Sequence, residues 1–284
     1  LETALKTKRR KSFYLFSAVF QNKKGMIMQF SKILLGALLA SGLYASDKII
    51  TVGASPVPHA EILEEVVKPI LEKEGYKLEV KIFNDYVIPN LAVENGELDA
   101  NYFQGLPYMK SFNKDKGTHI VPTVGVHVEP MGVYSKKIKS LNELKDGDII
   151  AISNNAADST RSINLLEKAG IIKAKEGEYK SPLDIIENPK NLKFKEMESA
   201  QTPRSLDDVA LAFINVNYAL DVGLQPTKDA LILEGKDSPY TNYVATKAGN
   251  ENNPKIKALD KAILTPEVRD FIVKRYQGAV IPSF

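Results

Sequence analysis

Two short segments, FNDYVIPN at 83–90 and DANYFQGLPY at 99–108, hold Phe83, Tyr86, Tyr102, Phe103 and Tyr108. The rings are interleaved with Asn84, Asn90, Asn101 and Gln104, beside proline and glycine. Core strands and helices carry aliphatics at regular spacing, whereas aromatics among amides, Pro and Gly suit loops that end strands and face a ligand. Two such segments in succession describe an apolar wall with polar groups at its edge, the make-up of a small-molecule pocket. Two hairpin-like corners packed on a core would use the same composition, and the pattern alone leaves both readings open.

A head-group site is readable further along. Arg161 follows the strand-like DIIAIS and a polar turn holding Asn154, Asn155, Asp158, Ser159 and Thr160. It stands near the start of a helix, where free backbone N–H groups favour an anion. A guanidinium there can grip a carboxylate with two parallel hydrogen bonds. A surface arginine paired with Asp158 is the plainer alternative. Asn215 directly follows the apolar VALAFI, and Asn242 stands in SPYTNYV at the start of another strand. Each amide both donates and accepts, which suits an α-amino-acid head group. Turn capping explains either one taken singly.

Catalytic and metal chemistry find little support. His59, His119 and His127 are scattered, with no H-x-x-H or H-E-x-x-H spacing, so no metal site is expected. No G-x-S-x-G elbow, G-x-x-x-x-G-K-[ST] loop or G-x-G-x-x-G turn occurs. Asp207 and Asp208 are adjacent, so on a helix they diverge and read as a solvated cap. No catalytic residue and no cofactor is expected.

The elements that must position these residues alternate between strand and helix. Ile49 to Gly53 reads as a strand, and Ile62, Leu63, Val66, Val67, Ile70 and Leu71 lie on one face of a helix. Leu78, Val80 and Ile82 alternate as a half-buried strand. A helix over 87–95, a strand over 98–101, a helix over 106–115 and a β-rich stretch over 120–134 follow, with a crossing between domains near 127–130. The pattern restarts with a short helix at 141–144, a strand at 148–153 and a helix at 157–169. Strands at 192–197, 209–214, 230–233 and 241–246 and helices at 254–263 and 266–276 complete it, with a helical turn at 202–207. Strands separated by helices call for covered, mainly parallel sheets, whose ligands bind at the carboxyl ends of the strands. The expected fold is α/β and two-lobed, of the periplasmic-binding-protein kind (type II-like), with the ligand in the cleft between lobes.

The N-terminal region reads differently. Residues 1–27, with the basic run Lys8-Arg9-Arg10-Lys11, are taken as translated upstream sequence or a cloning remnant. Residues 28–45 read as a cleavable signal peptide, with Lys32 as the basic part and Ile33 to Leu43 as the apolar part, too short to span a membrane. The whole chain is +3, but residues 1–45 hold eight Lys/Arg and one acidic residue. The remainder is therefore about −4 with no long basic stripe, which removes the support for nucleic-acid binding. The absence of cysteine excludes disulfides and thiol chemistry. It also leaves no lipobox residue, so the expectation is a freely soluble periplasmic protein without a lipid anchor. Two domains suit the rest: lobe 1 from 46–128 plus 238–284, and lobe 2 from 129–237.

FNDYVIPN, DANYFQGLPY, YSKKIKSLNEL (134–144), ENPKNLKF (187–194), PRSLDD (203–208), FINVNYA and DSPYTNYV occur in this order. Together they resemble the NlpA/MetQ family of methionine-binding proteins, over nearly the whole stretch from Ile49 onward. The resemblance implies a monomeric, non-enzymatic binding protein that delivers methionine, L or D, to an ABC permease and its ATPase. It places the thioether pocket on Tyr86, Phe103 and Tyr108, the carboxylate grip on Arg161, and the remaining head-group contacts on Asn215 and Asn242. Sulfur–aromatic contacts suit methionine. Many members read FQH where this chain has Gly105, which implies a roomier pocket edge. A methionine-containing dipeptide or another apolar amino acid is then the alternative ligand, and an exported enzyme or surface adhesin on the same fold is the alternative of another class.

Overall fold

Alternating strands and helices build two large sheets and a separate antiparallel pair of short strands, Lys173–Ala174 with Ile185–Glu187. The computed structural model describes residues 48–235, 238 and 240–284, so the upstream segment 1–27 and the signal peptide 28–45 lie outside the described residues. β1 (Ile49–Ala54) leads through π-helical turns at Pro56–Ala60 and Leu63–Val67 into α1 (Lys68–Lys73). β2 (Lys77–Ile82), α2 (Ile88–Glu94), β3 (Ala100–Gly105), α3 (Leu106–Lys116) and β4 (Ile120–Val128) follow. The next stretch holds β5 (Gly132–Tyr134), β6 (Ile149–Ser153), α4 (Ala156–Lys168), β7 (Lys173–Ala174), β8 (Ile185–Glu187) and β9 (Lys193–Met197). It ends with β10 (Leu211–Ile214), α5 (Val216–Asp221), α6 (Pro226–Asp229) and β11 (Ile232–Leu233). β12 (Thr241–Lys247), α7 (Pro254–Ile263), α8 (Pro266–Tyr276) and β13 (Ile281–Pro282) complete the chain.

One sheet runs β13-β4-β12-β3-β1-β2 and the other β11-β5-β10-β6-β9. The chain thus passes from the first sheet to the second between β4 and β5, and back between β11 and β12. The class is α/β, but the sheets are more mixed than the expected mainly parallel ones. β1 pairs parallel with β3, and β6 parallel with both β9 and β10. β12, however, is antiparallel to β3 and β4, and β5 is antiparallel to β10 and β11. The antiparallel pairs involve the strands beside the two crossings, where the chain returns without a covering helix to reverse it.

Each sheet has its own core. Ile50, Val52, Ile62, Leu63, Leu71, Leu259, Ile263 and Ile272 pack together on the first, and Ile150, Ile152, Ile163, Leu166, Leu211 and Phe213 on the second. α4 carries the local logic of the site. The Asn155 side chain caps it by accepting from the Asp158 N–H at 2.8 Å, and Gly170 just beyond it adopts φ +70°, where a Cβ would be strained. Ile163 and Leu166 anchor one face in the core and so fix Arg161 in the second turn.

Candidate functional site

All six residues proposed from sequence — Tyr86, Phe103, Tyr108, Arg161, Asn215 and Asn242 — line one cavity of about 40 Å³, together with Gln104, Gly105, Glu129, Asp158, Asn217 and Tyr240. The lining comes from the ends of β3 and β10, from the segments that follow β2, β4 and β6, and from the start of β12. On the usual measure such a volume holds a few waters. A ligand the size of an amino acid therefore needs the walls to part.

The aromatic wall is self-packed. Tyr86 stacks on Phe103 with centroids 5.4 Å apart, and meets Tyr108 edge-on at 5.6 Å. Tyr218, which the sequence reading missed, adds a fourth ring 5.1 Å from Tyr86. The Tyr108 hydroxyl donates to the Tyr86 carbonyl at 3.0 Å, and the Tyr86 hydroxyl to Asn217 Oδ1 at 2.8 Å. Burial pushes the Tyr86 phenol well above its ordinary range, so it stays a neutral donor.

The loop reading of the second segment needs correction. Tyr102, Phe103 and Gln104 belong to β3, an interior strand between β1 and β12, rather than to a loop after a strand at 98–101. The amides that suggested a loop are largely satisfied by one another. Asn101 Nδ2 donates to Asn90 Oδ1 at 2.8 Å, and Gln104 Nε2 to Asn90 Oδ1 at 2.6 Å and Asn101 Oδ1 at 2.9 Å. They form a buried structural cluster of the kind that fixes one packing arrangement. Gly105 pairs with Asn242, and a Cβ at Gly105 would come within 3.1 Å of the Thr241 carbonyl oxygen.

Arg161 is buried at 7% exposure, with Glu129 at 6%, Asp158 at 5% and Asn217 at 3%, so the charged wall is nearly dry. Its guanidinium is not the free grip the sequence suggested. Nε and Nη2 donate to Glu234 at 3.1 and 2.5 Å, and Nη2 also to the Glu129 carbonyl at 2.9 Å. The Tyr240 ring lies 4.2 Å from its Cζ. Asp158 Oδ1 stands 3.8 Å from Nη1, the guanidinium nitrogen without a hydrogen bond among the described residues. Asn215 donates to Asp158 Oδ2 at 3.1 Å, and Asn242 Oδ1 faces His59 Nε2 at 3.3 Å. Asn217 Nδ2 is buried without a hydrogen-bond partner among the described residues, and Asn217 lines the cavity.

The histidines are not scattered in space. His59 and His127 stand with rings 5.0 Å apart, while His119 pairs with Glu94 on the surface. Folding joins them because β4 and the segment after β1 meet behind the cavity. His127 Nε2 hydrogen-bonds Glu129 Oε1 at 2.8 Å, whereas His59 Nε2 lies 3.2 Å from that oxygen and makes its hydrogen bond to Asn242 Oδ1. With each Nε2 as the donor, each Nδ1 accepts, from Ser55 at 2.6 Å and from the Tyr102 hydroxyl. Burial lowers His59 to about 4 and His127 to about 3, so both rings are neutral, while burial pushes the Glu129 carboxyl upward. The ligand atoms of His59, His127 and Glu129 lie within 4.8 Å of one another, but as a closed hydrogen-bond set they need no ion to explain them. Sequence alone offered no signal for this cluster, nor for Glu234.

A model of the family described as NlpA lipoprotein matches residues 50–284. Over 258 residues the chain is 42% identical to the D-methionine-binding lipoprotein MetQ of Salmonella typhi, which spans 88% of this chain and 95% of that relative. A solved nutrient binding protein from Burkholderia cenocepacia, bound to methionine, gives a TM-score of 0.80 at 45% identity over 83% of this chain and all 100% of its own. A periplasmic substrate-binding protein of an ABC transporter from Coxiella burnetii gives 0.79 at 41% identity, over 82% and 100% of the two chains.

These names correct the expectation that the protein lacks a lipid anchor. The matching family and the Salmonella relative are both described as lipoproteins. The cysteine count tested one attachment chemistry within this sequence, and the lipoprotein character of the relatives outweighs it. Among the described residues, no helix is long and apolar enough to cross a membrane.

Proposed function

The chain belongs to the NlpA lipoprotein family, and from that premise we propose that it is the extracytoplasmic substrate-binding protein of an ABC importer, holding methionine between two lobes and passing it to the permease. The observation that carries this reading is the convergence of an aromatic wall and a buried guanidinium on one cavity at the strand ends. The protein is a binding protein and not an enzyme, like the relatives named above for what they bind.

In this reading lobe 1 is 46–128 plus 238–284 and lobe 2 is 129–237, and the protein works as a monomer. Tyr86, Phe103 and Tyr108 take the thioether side chain, which suits sulfur–aromatic contact. Arg161 Nη1 takes the α-carboxylate, aided by Asn215 and Asn242. Glu234 and Tyr240 hold the guanidinium before ligand arrives, so little side-chain freedom is lost on binding. Ligand drives closure only as far as it binds the closed form better than the open one. Tyr86 to Asn217 at 2.8 Å, Tyr179 to the Pro107 carbonyl at 3.2 Å and Tyr218 to the Asn84 carbonyl at 3.4 Å are among the bonds that opening would break.

A thermal-shift and calorimetry panel of L-methionine, D-methionine, methionine dipeptides and other apolar amino acids tests this reading. A ligand that binds only the native state raises the melting temperature by mass action. Methionine of one hand is expected to give the largest rise. A dipeptide in first place would assign the side-chain-free Gly105 edge to a second residue. No rise with any of them overturns the reading.

A further inference from the structure

The aromatic end of the cavity does not lie in neutral surroundings. Tyr86 and Tyr108 line the cavity and also an open groove of about 690 Å³, so these two rings separate one from the other. The groove carries Asp85, Asp115 and Glu198 against one cation, Lys116. Asp85 accepts the backbone N–H groups of Val87 and Ile88 at 2.7 and 2.8 Å, and Glu198 accepts the Asn154 amide at 3.2 Å. These donors are neutral, so none of the three bonds cancels a charge. On the cavity side, Asp158 stands 3.8 Å from the Arg161 guanidinium, whose closer partner is Glu234. Burial first, and then the charges of Asp158, Asp85 and Glu198, push the Tyr108 and Tyr218 hydroxyls upward. Both rings therefore sit in a negative field.

Tyr108 stands at 65° to Tyr86 and 70° to Phe103, with centroids 5.6 and 6.1 Å away, so the three rings form a corner rather than a flat plate. Ring faces attract cations through their quadrupole, and methylated onium groups are bound among several rings for that reason. We infer that the cavity takes, besides methionine, α-amino acids of the same chain length whose sulfur carries a positive charge, with S-methylmethionine as the representative sulfonium. This rests on the reading above that these rings receive the side chain, and adds a ligand class that reading does not contain.

A neutral apolar pocket would reject the sulfonium by roughly 1,000-fold or more, because a buried charge without a partner is costly. Here the ring faces and the carboxylates behind them offset that cost. A sulfonium has no N–H to satisfy, so it needs no directed bond from the rings. A lysine ammonium of similar reach would leave its N–H groups unpaired against them. Room for the added methyl group comes from the same parting of the walls that methionine itself requires, since the cavity measures about 40 Å³.

Calorimetry on the full chain with methionine, ethionine and S-methylmethionine tests this. Ethionine and S-methylmethionine have the same number of heavy atoms and differ in charge, so their ratio reads charge at constant size. S-methylmethionine is expected to bind within about tenfold of ethionine. The double variant Asp85→Asn with Glu198→Gln keeps the oxygens that accept from Val87, Ile88 and Asn154, so the local fold is retained. It is expected to weaken S-methylmethionine by about fivefold and to leave methionine and ethionine unchanged. Phe103→Leu, which keeps an apolar side chain without a ring, is expected to cost S-methylmethionine about fivefold more than ethionine. If methionine and ethionine bind and S-methylmethionine is weaker than ethionine by more than about tenfold, the sulfonium assignment is overturned. It is also overturned if the double variant changes all three ligands by the same factor, or if methionine binds and both larger ligands fail. A chain that does not bind methionine overturns the methionine reading itself, and the sulfonium class with it.

Discussion

The aromatic wall and the charged wall of the same cavity are held in place by different physics. Tyr86, Phe103, Tyr108 and Tyr218 pack on each other through faces and edges, with few directional bonds to fix them. Such contacts are broad in angle, and a ring can shift without losing all of them. On the opposite side, nearly every polar atom of Arg161, Asp158 and Glu129 has a named partner at hydrogen-bond distance. One wall sets shape loosely; the other sets charge and direction tightly. Substitutions in the charged wall should therefore cost more, and cost in kind rather than degree.

Arg161→Ala is the most severe test of that difference. Removing one partner of a buried charge pair costs roughly 2–5 kcal/mol of binding, read by calorimetry with methionine. It also leaves Glu234 without its guanidinium, held only by the Met131 N–H and the Ser238 hydroxyl, so denaturant unfolding should show a loss of up to about 3 kcal/mol in stability. Adding Glu234→Gln to Arg161→Ala is expected to restore much of the stability and none of the affinity. Recovery of both would mean that Arg161 serves the fold rather than the ligand.

A pH titration of stability sharpens the comparison, since only the charged wall rests on ionisable groups. His59 and His127 titrate near 4 and 3 in the folded protein, below the ordinary imidazole value, because burial disfavours their charge. Above about pH 6.5 they are neutral in both states and contribute no pH dependence. As pH falls below that value the unfolded chain takes up protons that the folded chain refuses. Stability then drops by as much as about 1.4 kcal/mol per pH unit for each ring, until the folded values are reached. Glu129 works the other way, because burial raises it and the folded state gains by protonating it. Arg161, Asp158 and the Tyr102 hydroxyl face the same cluster. Two histidines outweigh one glutamate, so unfolding at pH 5 should need less denaturant than at pH 7. His59→Gln with His127→Gln should flatten that slope. An unchanged slope would mean that the two rings bind protons equally in the folded and unfolded chain, and that burial does not depress them.

The same contrast explains what could be read from the sequence. Helices at 254–263 and 266–276, and the helix that carries Arg161, follow from periodic apolar residues, and the structure has them as α7, α8 and α4. Phe103 and Tyr108 were visible as aromatics out of place, although Asn101 and Gln104 misled about the strand they belong to. Their amides bond to each other inside the protein, and composition alone cannot tell that from solvent-facing loops. The charged wall was far less legible. Glu129 sits in HVEPM like any glutamate at the end of a strand, and Glu234 reaches Arg161 only through the return crossing. Pairing of His59 with His127 depends on two distant segments meeting in space, which no local spacing encodes.

Tyr86→Phe is the smallest and most discriminating change, because it touches the side-chain hydrogen bond that links the two walls among the described residues. Its hydroxyl donates to Asn217 Oδ1 at 2.8 Å, and the nitrogen of the same amide is already unpartnered. Phenylalanine keeps the stack on Phe103 and the edge contact with Tyr108 while freeing the amide to turn. Loss of one neutral hydrogen bond costs about 1 kcal/mol, so methionine affinity should fall no more than about tenfold, with unchanged preference over methylthiobutanoate, which is methionine without its amino group. If the aromatic wall sets shape only, the preference must survive even when the affinity drops. A loss of preference in Tyr86→Phe would show that this hydroxyl orients Asn217 toward the head group, and that the two walls act as one device.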